Sequence, residues 1–125
     1  MMILGLALQR LLLILVVAVL LYCAAALYIY LCQDRLLYFP HTYSHTEAIN
    51  RARALGFQLW PSDAQDYYGF ADSPETDDDK GTVLVFHGNA GSALDRDYYG
   101  TQLRACGYRT ILCEYPGYGA RPGKV

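Results

Sequence analysis

Charge is almost absent from the first quarter of the chain. Residues 1–33 of the 125 carry one charged side chain, Arg10, whereas all 12 Asp and Glu and the other Lys and Arg lie from Asp34 onward. The net charge is −2 and the basic residues are not clustered, which excludes the basic face typical of a nucleic-acid-binding protein. A hydrophobic content of 54% excludes wholesale disorder.

Cysteine is also scarce, and no two of the four cysteines have the Cys-x-x-Cys spacing. The sequence therefore gives no support for a zinc or thiol-redox motif. We expect small buried thiols at Cys23, Cys32, Cys106 and Cys113, and we predict no metal and no cofactor.

Two nucleotide-binding motifs are missing as well. A phosphate loop needs Gly-x-x-x-x-Gly-Lys-Ser/Thr, and neither the glycines after Gly88 nor those before Lys124 fit that pattern. The dinucleotide fingerprint Gly-x-Gly-x-x-Gly fails because Pro122 stands where Gly117-x-Gly119 requires its third glycine.

An uncharged run, Leu11 to Cys32, dominates the N-terminal segment. A helix of that length spans ~33 Å, against a hydrocarbon core of ~30 Å. We predict a single membrane anchor in contact with the lipid bilayer, with Tyr28, Tyr30 and Tyr38 near the lipid–water boundary. Arg10 favours the N-terminus inside and the C-terminus outside. A cleaved signal peptide is the alternative, although its apolar region is usually shorter.

Short strands and one helix are predicted in the remaining chain. Gly56–Trp60 alternates, and Asp66–Ala71 is a second strand candidate. Thr82–Phe86 is a continuous apolar run typical of a strand buried on both faces, and Arg109–Cys113 is predicted as another buried strand. Residues 92–106 predict a helix that Ser92 caps with Asp95 in capping-box position, and Gly107 is suited to end it. The acidic segment 72–81 predicts a solvated turn without a metal site.

Strand, loop, helix and strand in that order form a βαβ unit, so we expect strands 82–86 and 109–113 to be parallel. The glycine-rich loop His87–Gly91 lies between the first strand and the helix. Such a loop gathers backbone N–H groups that bind negative charge.

The segment Val85–Ser92, with its His-Gly-Asn-Ala-Gly, resembles the oxyanion loop of the α/β-hydrolase superfamily. Glu114–Gly119, with Tyr-Pro-Gly-Tyr-Gly, resembles the turn after that superfamily's next strand. Together with the anchor and Leu37–Pro40, the chain resembles a membrane-anchored serine hydrolase. The resemblance implies an α/β fold, and acyl transfer from a small ester, thioester or amide substrate.

By that resemblance, Asn89 and Ala90 belong to the oxyanion hole, with the Asn89 backbone N–H facing the oxyanion. The resemblance gives the residues around them a loop-shaping role: His87, Gly88, Gly91, Tyr115, Gly117 and Gly119.

The superfamily's nucleophile elbow, Gly-x-Ser-x-Gly, is missing from these 125 residues, and no acid or histidine pairs with it. Ser92 follows a strand and opens a helix, but its helix-capping role explains it better. We expect an incomplete α/β-hydrolase domain: an anchor at 1–33, a juxtamembrane segment at 34–55 and a partial domain at 56–125. This chain alone is expected to be inactive, and an Asp nucleophile remains open.

A second hypothesis is a membrane-tethered protein without enzymatic activity, whose loop serves as a scaffold or a partner surface. A nucleotide-binding module is a third, weakened by the failure of both nucleotide motifs.

The coding sequence beyond the codon for Val125 discriminates between these hypotheses. Sequencing of the gene and its transcript should show an open frame that encodes Gly-x-Ser-x-Gly, an acid and a histidine. A reproducible stop codon directly after Val125 would contradict the enzyme hypothesis for this product.

Overall fold

The structure is a computed structural model that describes residues 2–61, 66–72 and 79–124. It divides into two compact units, residues 1–37 and residues 38–125. The predicted division at residues 33 and 55 stays a prediction.

The first unit is one long helix, α1 (Met2–Leu37), which runs beyond the predicted anchor boundary at Gln33. Its segment Gly5–Leu37 contains an 18-residue window with a mean hydropathy of 2.9 and is long enough to cross a membrane. An N-terminal signal sequence has the same properties, and the helix by itself does not define which end faces the cytoplasm.

Within its described residues the second unit contains six short strands, two α-helices and a 3₁₀ turn. In chain order they are β1 (Phe39–Pro40), α2 (His45–Ala54), β2 (Gln58–Trp60), β3 (Gly69–Ala71), β4 (Thr82–Phe86), β5 (Ala90–Gly91), the 3₁₀ turn Ala93–Arg96, α3 (Tyr98–Ala105) and β6 (Arg109–Cys113). The four strands predicted from the sequence are present, the first two of them shorter than predicted.

Four strands form a mixed sheet in the order β2-β3-β6-β4. The strands β2 and β3 are antiparallel, as are β3 and β6. The strands β4 and β6 are parallel, with Thr82 opposite Arg109 and Phe86 opposite Cys113, so the predicted parallel pairing is confirmed. A separate parallel pair joins β1 to β5.

The core lies against the central strands of this sheet. Tyr67, Phe70, Leu94 and Leu112 are fully buried, and Ala48 and Ala52 add the buried face of α2 to the same cluster. Strand β6 is buried at four of its five positions, as predicted for a buried strand.

Strand β4 differs from the prediction of burial on both faces. Leu84 is 52% exposed and Phe86 is 58% exposed. Within the described residues β4 is the edge strand of the four-stranded sheet and pairs with β6 alone, so its burial is one-sided.

The predicted helix 92–106 is divided into two pieces. A 3₁₀ turn, Ala93–Arg96, comes first and α3 follows from Tyr98. The Asp95 N–H donates to the Ser92 carbonyl at 3.2 Å, an i→i+3 bond that tightens the turn. The capping box of Ser92 and Asp95 is confirmed, and Gly107 follows the helix with φ 85°.

Two smaller predictions are wrong. Asp72 is buried instead of solvated, because Oδ1 accepts the Thr110 N–H at 3.0 Å and Oδ2 lies 3.3 Å from Arg104 Nη2. Residues 73–78 of the predicted acidic turn lie outside the described part of the chain. All four cysteines are free. Cys106 is exposed and Cys113 is partly exposed, so the expectation of buried thiols is wrong for these two.

Gly100 packs directly beneath a core ring. A Cβ at this position would overlap the Phe57 ring, although Ala favours a helix over Gly by about 1 kcal/mol. Overpacking costs about 1–3 kcal/mol, so Gly100→Ala should destabilise the protein in urea unfolding. The neighbouring exposed Thr101→Ala is the matched control and should be neutral or slightly stabilising. Equal stability of the two variants would contradict this packing.

Candidate functional site

Two loops meet at the carboxyl end of the parallel strand pair. His87 follows β4 and Glu114 follows β6. Because Phe86 and Cys113 are register partners, the two following residues lie at the same edge of the sheet. The carboxyl edge of parallel strands is where α/β sheets place their ligands.

The side chains of His87 and Glu114 form a buried pair. His87 Nε2 lies 2.8 Å from Glu114 Oε1, and both side chains are fully buried. The distance is that of an ion pair, although Nε2 makes no hydrogen bond of good geometry among the described residues.

The same carboxylate also contacts Ala93, the first residue of the 3₁₀ turn that follows the glycine-rich loop. The Ala93 backbone N–H donates to Glu114 Oε1 at 3.1 Å and to Oε2 at 3.2 Å. The Tyr43 hydroxyl lies 3.5 Å from Oε2. One buried carboxylate therefore contacts both His87, at the start of the loop, and Ala93, two residues beyond its end.

Inside the loop, two successive peptide carbonyls are anchored. The Gly88 carbonyl lies 2.8 Å from His87 Nδ1, and because a carbonyl oxygen can only accept, Nδ1 carries the proton. The Asn89 carbonyl accepts the Tyr118 hydroxyl at 2.8 Å and the Phe39 N–H at 2.8 Å. In a trans peptide the N–H points opposite to the carbonyl, so these bonds fix the directions of the Asn89 and Ala90 N–H groups.

Tyr118 is well suited to this anchoring. It is 2% exposed, and burial raises the pKa of its phenol. The hydroxyl therefore remains a hydrogen-bond donor to Asn89 at neutral pH.

An open cavity of about 500 Å³ adjoins the loop. Aromatic rings form much of its wall, with the His87 ring 4.8 Å from that of Tyr115 and 4.9 Å from that of Tyr118. The cavity is lined by Tyr38, His87, Gly88, Asn89, Tyr115, Pro116, Tyr118 and Lys124. It has the size and the mixed apolar and polar lining of a small-molecule site.

The structure brings the predicted site residues together in these two loops. His87, Gly88, Asn89 and Tyr115 line the cavity. Ala90 and Gly91 instead form β5 and pair with Phe39 and Pro40, and Gly117 and Gly119 adopt φ of 81° and 58°. The oxyanion role of Asn89 and Ala90 stays a prediction.

Glu114, Tyr118 and Tyr43 are the residues that sequence reasoning missed. The sequence assigns Glu114 only to the start of the turn Glu114–Gly119. One signal was available, because a carboxylate directly after a buried strand, at the same sheet edge as a loop histidine, needs a partner. Gly119 belongs to the same arrangement, since a Cβ there would overlap Glu114 Oε2 and lie 3.0 Å from the Tyr43 hydroxyl.

Ser92 is fully buried and forms the N-terminal cap of the 3₁₀ turn. Its N–H and its hydroxyl donate to Asp95 Oδ2 at 2.7 Å and 3.2 Å. This arrangement supports the capping interpretation over a nucleophilic one. Over the described ranges, no cluster of three potential metal ligands occurs.

The family model described as alpha/beta hydrolase of unknown function (DUF1057) matches residues 64–125. The matched segment contains β3, β4, β6 and both loops of the candidate site, and the match supports the α/β-hydrolase superfamily. Neither the search of curated proteins nor the search of solved structures gave a match.

The ionised Asp95 carboxylate is expected to stabilise the folded protein in a pH-dependent way. Burial acts to raise its pKa, but the Ser92 N–H and hydroxyl and the Arg51 guanidinium outweigh burial and lower the pKa below 3.8. The folded protein thus binds fewer protons here than the unfolded chain, and this stabilisation is lost as pH falls through the folded pKa.

We expect Asp95→Asn to lose less stability than the native protein between about pH 5 and pH 2, measured by urea unfolding at each pH. Asp66→Asn, which removes an exposed carboxylate, is the control and should follow the native curve. If the free energy of unfolding of Asp95→Asn fell with pH as steeply as that of the native protein, the lowered pKa of Asp95 would be contradicted.

Proposed function

We propose that this chain supplies the membrane anchor and the oxyanion loop of a serine hydrolase that cleaves an ester, thioester or amide. The observation that carries the proposal is the anchored loop: the carbonyls of Gly88 and Asn89 are both held, so two adjacent N–H groups have fixed directions beside a cavity. Attack on an acyl carbon creates a negative oxygen, and preorganised N–H groups stabilise it without reorganising.

The Asn89 N–H is the proposed donor to that oxygen. A donor of this kind lowers the barrier by ~2.7–4 kcal/mol where it has been measured. His87 serves this loop as a brace and not as the catalytic base, because Nδ1 is bound to the Gly88 carbonyl and Nε2 faces Glu114.

The nucleophile must come from another segment, since the 125 residues hold no Gly-x-Ser-x-Gly. In the proposed enzyme that segment also supplies the acid and the histidine that activate the serine. The long helix α1 contains an 18-residue window with a mean hydropathy of 2.9, which supports a membrane-bound location for the reaction.

A membrane-tethered, non-enzymatic partner-binding protein is the second candidate. The half-exposed Leu84 and Phe86 on the edge strand β4 favour it, because exposed apolar strand edges recruit other chains.

The proposed donor is tested in a product that extends through a nucleophile elbow, assayed with a p-nitrophenyl ester. Asn89→Pro removes the backbone N–H and should lower kcat about 10²–10³-fold. Asn89→Ala keeps the N–H and is the matched control, with kcat expected within a few-fold of native. Equal activity of a folded Asn89→Pro would contradict the proposal, as would rapid hydrolysis by residues 1–125 alone.

A further inference from the structure

The cavity beside the loop lies wholly within the second unit, and its wall includes Tyr38, the first residue of that unit. One peptide bond joins Tyr38 to Leu37, the last residue of α1, so the two Cα atoms are about 3.8 Å apart. This connection holds for any orientation of the helix. One wall of the cavity is therefore tied to the end of the proposed membrane anchor.

The length of the apolar segment sets the depth of Tyr38 in a bilayer. With Leu11–Cys32 in a hydrocarbon core of ~30 Å, Tyr38 follows Cys32 by six residues, which is ~9 Å at the rise of a helix. The headgroup layer on each side is ~5–7 Å thick. Tyr38 therefore comes at the outer limit of the lipid headgroups, a boundary that tyrosine rings favour.

Aromatic side chains continue from the cavity to the protein surface. Tyr115 lines the cavity and is exposed, and its ring lies 6.0 Å from that of Phe86. Phe86 and Phe39, the residue after Tyr38, are both more than half exposed. Rings left in water forgo the free energy of burial, which an apolar ligand or a lipid surface would recover.

Gly88 leaves open space in the same cavity. Its φ is not positive, and a Cβ at this position would meet no atom within 4 Å. Neither backbone conformation nor packing therefore requires glycine here, in contrast to Gly100 and Gly119, where a Cβ would overlap a neighbouring side chain. The volume beside Gly88 is available to a ligand.

The charge of the cavity wall selects the head group of such a ligand. Lys124 is exposed and lines the cavity, and no Asp or Glu is among the described residues that do so. The nearby Glu114 side chain is fully buried against His87. An ammonium group attracts a negatively charged head group and repels a positively charged one.

We infer that the cavity takes the hydrocarbon chain of a single-chain anionic amphiphile from the bilayer, with its negative head group near Lys124. A volume of about 500 Å³ is in the range that holds one drug-sized ligand, which favours one chain over two. The inference rests on the proposed anchor and names a substrate class for the proposed hydrolase, because a lipid ester, and not a water-soluble one, would then reach Asn89.

Dodecyl phosphate is the first probe, because it has one chain, an anionic head group and no acyl carbon to attack. The full chain, labelled with nitrogen-15 and embedded in phosphatidylcholine nanodiscs, should show shifts of the Gly88, Tyr115 and Tyr118 amide signals as the probe is added. Butyl phosphate has the same head group on a much shorter chain. Each buried methylene is worth about fourfold in affinity, so butyl phosphate should bind at least about a hundredfold more weakly.

Dodecyltrimethylammonium has the same chain as the first probe and the opposite charge. It should bind at least about tenfold more weakly than dodecyl phosphate. Lys124→Gln removes the ammonium group at an exposed position and should narrow this difference to about threefold or less. Equal affinity of the native chain for the two amphiphiles would contradict the inference.

Substitutions in the cavity wall test the location of the chain. Gly88→Phe should fill the open volume and abolish the shifts of Tyr115 and Tyr118. Tyr115→Ser removes a ring from the wall and should weaken binding about tenfold. Tyr98→Ser removes an exposed ring of α3 outside the cavity lining and is the matched control, with affinity within about twofold of native. Unchanged β6 amide signals report that a variant is folded.

The outcomes separate this inference from the proposed oxyanion role. Absence of shifts with dodecyl phosphate, or equal binding of butyl phosphate, would overturn the inference and leave the oxyanion role intact, because neither probe has an acyl group. Equal affinity of Tyr115→Ser and Tyr98→Ser would also overturn it, whether or not Gly88→Phe folds. Release of the chain from membranes by alkaline carbonate would contradict the anchor itself, and Asn89→Pro tests the oxyanion donor separately.

Discussion

A carboxylate removed from water must be matched by charge or hydrogen-bond donors, and the Glu114 side chain imposes that constraint on this protein. Burial of an unpaired carboxylate is prohibitively costly, so the residues around it are arranged as its partners. His87 approaches one oxygen and the Ala93 N–H contacts both. Gly119 leaves the space that a Cβ would otherwise take from Oε2.

The sheet makes these partnerships possible. Residues 87 and 114 are far apart in the chain, yet the parallel register of β4 and β6 brings their strand ends to one edge. The strand pair β1–β5 also fixes the middle of the loop, because the Phe39 N–H donates to the Asn89 carbonyl. The Glu114 side chain thus contacts the start of the loop at His87 and the residue just beyond it at Ala93. Phe39 and Tyr118 hold the centre of the loop at the Asn89 carbonyl.

Local sequence patterns predicted where the helices and strands lie better than they predicted which side chains are buried and which partners they contact. The apolar run Thr82–Phe86 located β4, the strand–helix–strand order located β6, and the Ser92–Asp95 spacing located the start of the helical segment. The break between the 3₁₀ turn and α3 depends on backbone bonds that no periodicity encodes. The burial of Asp72 depends on Thr110 and Arg104, which are distant in sequence. The role of Glu114 was not predicted for the same reason, because its partners His87 and Ala93 are distant in sequence and meet it only in the folded structure.

The exposed face of β4 bears directly on the proposed chemistry. Its sequence Thr-Val-Leu-Val-Phe is typical of a strand covered on both faces, but Leu84 and Phe86 remain half exposed within the described chain. The Phe86 ring lies 6.0 Å from that of Tyr115, beside the cavity. A strand added in parallel at this edge would place its own carboxyl end next to His87 and Asn89. The nucleophile elbow of an α/β-hydrolase follows a strand. The edge of β4 that has no neighbour among the described residues is therefore also the position from which a nucleophile would reach the proposed oxyanion donors.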